Sequence, residues 1–210
     1  MADLIDLYHI THVRNLPAII ARGALCCHTI ADRDQLTSVT IGYRDLKHRR
    51  SMRHVPVGPG GVLSDYVPWY FGPRAPMLYV INKGNVAGYN EGQHPVIRLV
   101  TSVERVRDAG LAFVFTDGHA VVQFSEFYTD LSQINHVDMP LMQERYWNDT
   151  AADNDRERRR NAEFLVHGEL PWSLIGAIGV LNQDVADQVS AALPSGTTEP
   201  RVLVRPQWYY

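Results

Sequence analysis

The stretch "RRRNAEFLVHGELPW", residues 158–172, places a single acidic residue at the start of an apolar run. Glu163 directly precedes the Phe-Leu-Val of residues 164–166, and such a run is typical of a buried strand. A carboxylate is rarely buried without a partner, because its desolvation costs several kcal/mol. We therefore expect Glu163 either to pair with an arginine such as Arg159 or to face a cleft.

The overall composition is that of a globular protein. The chain has 210 residues, of which 45% are hydrophobic and 20% charged, and this suits a single domain over residues 1–210. No apolar run approaches the ~20 residues of a membrane span, and the first residues do not resemble a signal peptide. We therefore expect a cytoplasmic protein that has no membrane segment and is a monomer.

Several kinds of site are excluded or disfavoured by what the sequence lacks. Cys26 and Cys27 are its only cysteines and are adjacent, which rules out a disulfide framework and disfavours a cysteine-based zinc site. We expect no metal. A P-loop, a GxGxxG motif after a strand, an HExxH motif and a GxSxG elbow are also missing. Walker-type phosphoryl transfer is excluded, and a Rossmann dinucleotide site is unsupported.

The charge is weakly negative overall but unevenly distributed. A net charge of −3 argues against a protein that coats duplex DNA through bulk electrostatics. Basic residues nevertheless cluster in residues 44–54 and again in residues 155–160. Each cluster is either a solvated helix face or part of a binding site for an anion.

The hydrophobic pattern predicts an α+β fold around a mixed or mostly antiparallel sheet. Helices are predicted from the N-cap candidate Asn15 to Gly23, over residues 41–53 and over most of residues 139–162, with a loop at residues 29–42. The predicted strands cover residues 4–11, 77–81, 96–100, 111–115, 162–166, 175–180 and 201–204.

Three short segments carry side chains that could contact a ligand. His9 and Thr11 are two apart in a predicted strand and share a face, although a lone histidine on a strand is more often structural. The aromatic run of residues 66–71 could stack on a planar ring or fill the core. Residues 116–119 predict a turn with His119 at its tip.

The motifs YHITH, LKHRR, SDYVPWYFGPRAPMLY, TDGHA and RRNAEFLV follow one another in this order. This arrangement resembles the DarT-type DNA ADP-ribosyltransferase toxins over about residues 7–180. The resemblance implies the ADP-ribosyltransferase fold, a split pair of mixed or antiparallel β-sheets with peripheral helices. It also implies that NAD is the substrate that donates ADP-ribose to a base, usually thymidine, of single-stranded DNA in a short sequence context. The implied partner is a macrodomain antitoxin that removes the ADP-ribose from the DNA.

The resemblance also implies roles for individual residues. Glu163 matches the family's catalytic glutamate, and either Arg49 or Arg50 matches a second catalytic position. The residues implied to contact NAD are His9, Ile10, Thr11, Ala18, Gly23, Leu25, Tyr66, Tyr70 and Met77. The residues implied to contact DNA are His119, Tyr146 and Trp147, of which the last two lie in the predicted helix of residues 139–162.

Two other functions remain open on the sequence. The chain could be a non-enzymatic single-stranded nucleic-acid-binding module that uses its basic helix and aromatic residues. Such a module would not bind NAD and would tolerate a change at Glu163. The chain could also keep the transferase fold but modify RNA or protein, and a comparison of acceptors would separate that function from DNA modification.

Overall fold

A computed structural model describes residues 4–194, 196 and 200–210. Parts of the predicted 1–210 domain, namely residues 1–3, 195 and 197–199, lie outside the described residues. The strands are, in chain order, β1 Asp6–His12, β2 Ala24–Cys26, β3 Tyr66–Tyr70, β4 Val96–Ser102, β5 Phe113–His119, β6 Phe127–Tyr128, β7 Ala162–His167, β8 Glu169–Pro171, β9 Ala177–Val180 and β10 Arg201–Val204.

The main sheet is split at its centre. Within the described residues, eight strands form one mixed sheet in the order β10-β9-β4-β1-β3-β7-β5-β6, and β2 pairs with β8 apart from it. β1 pairs with β4 along its whole length but meets β3 at a single position, Tyr8 opposite Tyr70. The two halves therefore diverge beside this junction and leave a cleft. This confirms the predicted α+β fold with a split sheet.

Strand β7, which contains Glu163, lies between β3 and β5 in the main sheet. Phe164 and Val166 lie in the main hydrophobic core, whereas Leu165 faces a second, smaller core on the other side of the sheet. Side chains alternate between the two faces of a strand, so Glu163 shares the face of Leu165. Glu163 pairs directly with Tyr70 of β3, which places both residues at the junction where the sheet opens.

The helices are short and lie around the sheet. They are, in chain order, α1 Leu16–Arg22, α2 His28–Arg33, α3 Arg44–Met52, α4 Pro76–Asn82, α5 Val103–Asp108, α6 Met139–Gln143, α7 Arg156–Arg160 and α8 Gln183–Ala192. α1 begins after Asn15 and ends at Gly23, whose φ of 74° is the left-handed conformation that glycine favours. In the described part of the chain, no helix is long and apolar enough to cross a membrane.

The strand predicted for residues 77–81 is wrong, because this segment forms α4. Pro76 occupies the first turn of that helix, where its fixed φ and missing N–H are tolerated. Leu78 and Ile81, three residues apart, are both buried on one helical face. A short apolar run fits a strand or a buried helix equally well, and tertiary packing decided between them here.

The single long helix predicted for residues 139–162 is also wrong. Only α6 and α7 are helical, and residues 144–155 between them are irregular. This linking segment contains Asn, Asp and Thr, whose side chains compete for backbone hydrogen bonds. Asp153 N donates to Thr150 Oγ1 at 3.0 Å, and Glu157 N donates to Asp149 Oδ1 at 2.9 Å.

Two predictions of irregular structure need correction as well. The turn predicted at residues 116–119 is wrong, because β5 continues through His119 after an irregularity in its pairing with β7. The predicted loop of residues 29–42 is partly wrong, because its residues 29–33 belong to helix α2. Residues 36–42 of that loop are irregular as predicted, and together with Tyr43 they cover the cleft.

Candidate active site

A cavity of about 260 Å³ occupies the cleft between the two halves of the sheet. Its walls come from β1, β3, the start of β7, α3 and residues 36–43. Ten of the residues singled out from the sequence line it, namely His9, Ile10, Thr11, Leu25, Arg50, Tyr66, Tyr70, Met77, His119 and Glu163. The lining is mostly apolar with a few polar groups, as is usual for sites that bind small molecules.

Glu163 is buried and held by two donors. Its Oε2 accepts from Arg50 Nη1 at 2.7 Å, and its Oε1 accepts from Ala120 N at 3.2 Å. The irregularity between β5 and β7 brings Ala120 N within reach. The side chain is only 4% exposed, so these contacts compensate the desolvation of its charge. Both possibilities raised by the sequence therefore hold, since Glu163 is paired and faces a cleft.

The partner of Glu163 is not the arginine suggested as an example from the sequence. Arg159 instead binds Asp153 at 2.5 Å and Asp138 at 3.4 Å. Its neighbour Arg158 is paired with Asp155 and with Asp117. Two of the four arginines in residues 155–160 are thus paired with carboxylates.

The two candidate arginines of α3 have different surroundings. Arg50 points into the cavity and is 14% exposed, whereas Arg49 is exposed and does not line the cavity. Arg50 Nη2 is buried and has no hydrogen-bond partner in the described residues. Arg50 therefore offers one donor to Glu163 and keeps a second for a ligand.

His9 carries its proton on a defined nitrogen. Nδ1 lies 2.8 Å from the carbonyl oxygen of Pro68, and because that oxygen can only accept, Nδ1 must be the donor. Burial and the charge of Arg50 together lower the pKa of His9 to about 4, although the hydrogen bond to the Pro68 carbonyl opposes the shift. The ring is therefore neutral at pH 7, and Nε2 is left as a hydrogen-bond acceptor.

Asn15 builds the wall opposite the sheet, a role that the sequence did not suggest. Its Oδ1 accepts from Ser38 N at 2.9 Å and Val39 N at 2.8 Å, and its Nδ2 donates to Val39 O at 2.8 Å. Nδ2 also donates to Thr11 Oγ1 at 3.1 Å, which leaves the Thr11 hydroxyl proton for another acceptor. Asn15 stands at the predicted N-cap of α1, but its side chain makes no capping bond. It ties residues 38 and 39 to the floor of the cavity instead.

Tyr70 and His119 flank the carboxylate. Burial raises the pKa of the Tyr70 hydroxyl and the charge of Glu163 raises it further, so Tyr70 stays protonated. Burial lowers the pKa of His119, which is therefore predominantly neutral at pH 7. His119 is half-buried in the cavity wall rather than exposed at a turn.

Besides Arg49, four residues implied by the resemblance do not line the cavity. Ala18 lies within α1, and Gly23 ends that helix. Tyr146 is 77% exposed in the irregular segment after α6. Trp147 Nε1 donates to Tyr210 Oη at 3.1 Å, and its ring meets Tyr79 edge to face. The roles of these four residues stay predictions.

No group of three or more His, Cys, Asp and Glu side chains suited to a metal ion occurs in the part of the chain that the structure describes. The polar groups of the cavity are a carboxylate, a guanidinium, an ammonium, an amide, neutral imidazoles and hydroxyls. A split mixed sheet with a carboxylate–arginine pair in its cleft defines the class of protein as an ADP-ribosyltransferase.

Comparison with known proteins identifies the family within this class. A family model described as "ssDNA thymidine ADP-ribosyltransferase, DarT" matches residues 8–210. A DNA ADP-ribosyl transferase from Thermus sp. (strain 2.9) is 41% identical over 206 residues, which cover 97% of this chain and 95% of the relative. The chain belongs to the DarT family of ADP-ribosyltransferases.

Solved structures agree with this assignment. The Thermus sp. 2.9 DarT in complex with ADP-ribosylated ssDNA matches with a TM-score of 0.91 and 39% identity, covering 98% of this chain and 96% of that chain. The same Thermus protein in complex with NAD+ matches with a TM-score of 0.87 and 38% identity. This match covers 99% of this chain and 98% of that chain. A DNA ADP-ribosyl transferase–DNA ADP-ribosyl glycohydrolase fusion protein from Thermosipho africanus is 24% identical over 190 residues, 90% of this chain and 45% of the fusion.

Proposed function

We propose that this protein transfers the ADP-ribosyl group of NAD to thymidine in single-stranded DNA, with Glu163 and Arg50 as its catalytic pair. The observation that carries the proposal is the buried Glu163 carboxylate, held by Arg50 and facing a cavity in the split sheet. Membership of the DarT family and the likeness to structures with NAD+ and with ADP-ribosylated ssDNA support it.

The carboxylate would act on the bond between nicotinamide and ribose. As this C–N bond breaks, positive charge develops on the ribose, and nicotinamide leaves as a neutral molecule. A fixed carboxylate that accepts from a ribose hydroxyl stabilises that charge without needing to reorganise. Glu163 is held in advance by Arg50 and Ala120, so its position is set before NAD binds. Nε2 of neutral His9 and the Thr11 hydroxyl would orient the nicotinamide end, and Tyr70 would stack beside it.

The acceptor base would then form a new C–N bond to the ribose and lose a proton. An arginine guanidinium is already protonated at pH 7 and cannot accept that proton, which would pass to water, but its positive charge stabilises the deprotonated base. Arg50 Nη2, which is buried without a partner in the described residues, supplies a donor for this purpose. His119 would contact the base from the cavity wall. A single strand allows the base to enter the site at little cost, because the base need not be unpaired.

The assay incubates the protein with labelled NAD and compares possible acceptors. These are single-stranded oligonucleotides that contain or lack thymidine, with duplex DNA, RNA and protein as controls. We expect thymidine-dependent labelling of the single strand. We also expect a shallow salt dependence, because the net charge is −3 and two arginines of the cluster at residues 155–160 are already paired with carboxylates. Equal labelling of duplex and single strand would contradict the proposed acceptor. Labelling of RNA or protein alone would contradict it as well.

The cellular role that we propose is that of a cytoplasmic, monomeric toxin. The Thermosipho relative, in which a DNA ADP-ribosyl transferase is fused to a DNA ADP-ribosyl glycohydrolase, supports a macrodomain glycohydrolase as the antitoxin that removes the modification. Induced expression in bacteria should stop growth, and co-expression of such a glycohydrolase should restore it. Growth arrest that persists with Glu163→Gln would contradict toxicity through DNA modification.

A further inference from the structure

The cavity carries a second cation besides the one bound to Glu163. Lys47 lies one helical turn before Arg50 on α3, and both side chains line the cavity. Residues three apart in a helix share a face and are separated by about 4.5 Å along the axis. Lys47 is therefore displaced from Arg50, and hence from the Glu163 end of the cavity, by one turn of helix.

Lys47 is available for a ligand. Its Nζ donates weakly to Thr40 Oγ1 at 3.4 Å and forms no ion pair with any carboxylate in the described ranges. Partial burial lowers the pKa of Lys47, and the charge of Asp32 only partly opposes this shift. A neighbouring anion would restore the interactions that the ammonium loses on desolvation.

The remaining charges of the cavity do not substitute for Lys47. Among the residues that line it, Glu163 is the only carboxylate, and Arg50 is bound to it. His28 also lines the cavity near Lys47, but burial and the charge of Lys47 both lower its pKa, so it supplies no fixed charge at pH 7. Lys47 is thus the one cation of the described lining that is not paired with a carboxylate.

NAD brings two phosphate charges into this cavity, one ribose away from the bond that breaks. If Glu163 meets the nicotinamide ribose, the diphosphate must follow along the cavity from the Glu163 end. We propose that Lys47 binds the diphosphate of NAD and so sets the affinity for the dinucleotide. This inference rests on the proposed function. It assigns the diphosphate to the face of α3 that lines the cavity, where the hydrogen bond from Lys47 to a phosphate would be charge-assisted and therefore strong.

The test measures binding by calorimetry with ligands that contain or lack a diphosphate. Lys47→Gln should weaken NAD and ADP-ribose about 10- to 100-fold, the range typical of a hydrogen bond to a charged group, and leave nicotinamide riboside unchanged. Lys47→Arg should restore most of the affinity. Arg44→Gln is the matched control, because Arg44 is exposed on the same helix and does not line the cavity. It should behave as wild type.

Salt provides a second measurement on the unmodified protein. The affinity for NAD and ADP-ribose should fall more steeply as NaCl is raised than that for nicotinamide riboside, which lacks the phosphates. Unchanged NAD affinity in Lys47→Gln, equal loss for nicotinamide riboside, or a flat salt dependence would each overturn the proposal. So would a loss confined to single-stranded DNA, which would make Lys47 a contact for DNA phosphate. A wild-type protein that binds no NAD at all would instead contradict the proposed function itself.

Discussion

Arg50 Nη1 and Glu163 Oε2 lie 2.7 Å apart although the two residues are 113 positions apart in the chain. α3 and β7 bring them together over the cleft, where the arginine is 14% and the glutamate 4% exposed. Breaking such a buried pair from either side leaves an uncompensated charge.

Glu163→Gln should abolish transfer while preserving the fold. The amide keeps the size of the side chain and an oxygen that can accept from Arg50, but it cannot offset the charge that develops on the ribose. Loss of such electrostatic stabilisation typically lowers rates about 10²–10³-fold. Label incorporation from NAD into DNA measures the effect, and a thermal melt checks the fold. Near-wild-type labelling would remove Glu163 from the catalytic role.

Substitution of Arg50 and of Arg49 should have unequal effects. Arg50→Ala removes the partner of a buried carboxylate and the free Nη2 donor, so transfer should fall about 100-fold or more. Arg50→Lys should not restore it, because an ammonium lacks the planar fork that serves two acceptors. Arg49→Ala is the matched control and should stay within about threefold of wild type, since an exposed charge contributes little. Equal losses in both variants would contradict the assignment of Arg50.

Asn15→Ala should weaken NAD binding without touching the catalytic pair. The change leaves the amides of Ser38 and Val39 without their acceptor and frees the wall formed by residues 36–43. Each of the two part-buried hydrogen bonds contributes about 0.5–1.5 kcal/mol, so NAD affinity should fall about 10-fold. Ser38→Ala is the control, because it removes an exposed side chain but keeps the backbone amide. If both variants bind NAD equally well, Asn15 does not hold the wall.

His9 should make the protein less stable in mild acid. Its pKa is about 4 in the folded protein against an ordinary value of 6.5, so between these values the unfolded chain binds a proton that the folded protein does not. The free energy of unfolding therefore falls as pH drops through 6.5 towards 4. His9 is only half-buried, so we expect about 1–2 kcal/mol rather than the ~3 that the full shift corresponds to.

Urea unfolding at pH 7 and pH 5 measures this effect of His9. His9→Asn, whose amide can still donate to the Pro68 carbonyl, should show a smaller loss of stability between the two pH values than wild type. Other histidines of lowered pKa, such as His28 and His119, contribute equally to both proteins and cancel in the comparison. An identical pH dependence in both proteins would show that His9 does not resist protonation.

Tyr146→Ala should impair DNA modification but not the slow hydrolysis of NAD. The side chain is 77% exposed, so its removal should leave the fold intact. Stacking of an aromatic ring on a base contributes about 1–3 kcal/mol, and its loss should raise the KM for DNA about 10-fold or more. Tyr146→Phe should retain the wild-type KM. A normal KM in the alanine variant would leave Tyr146 without a role in acceptor binding.

The sequence predicted the elements that local pattern specifies strongly. β4 and β7 match long apolar runs, and α1 lies between Asn15 and Gly23 as expected. The failures fall where local pattern is ambiguous. The apolar run of residues 77–81 fits a strand or a helix, and residues 139–162 contain good helix formers beside Asn and Asp, which interrupt helices.

The sequence by itself determined that a carboxylate begins a buried strand and that basic residues cluster in residues 44–54, because burial pattern and charge are local properties. It did not determine which basic residue meets Glu163. That choice depends on how α3 is rotated over the cleft, which turns Arg50 inward and leaves Arg49 in solvent. The cavity wall held by Asn15 likewise exists only in the folded protein, because its hydrogen bonds join residues more than 20 positions apart. Contacts of this kind have no local signal, since tertiary packing alone selects them.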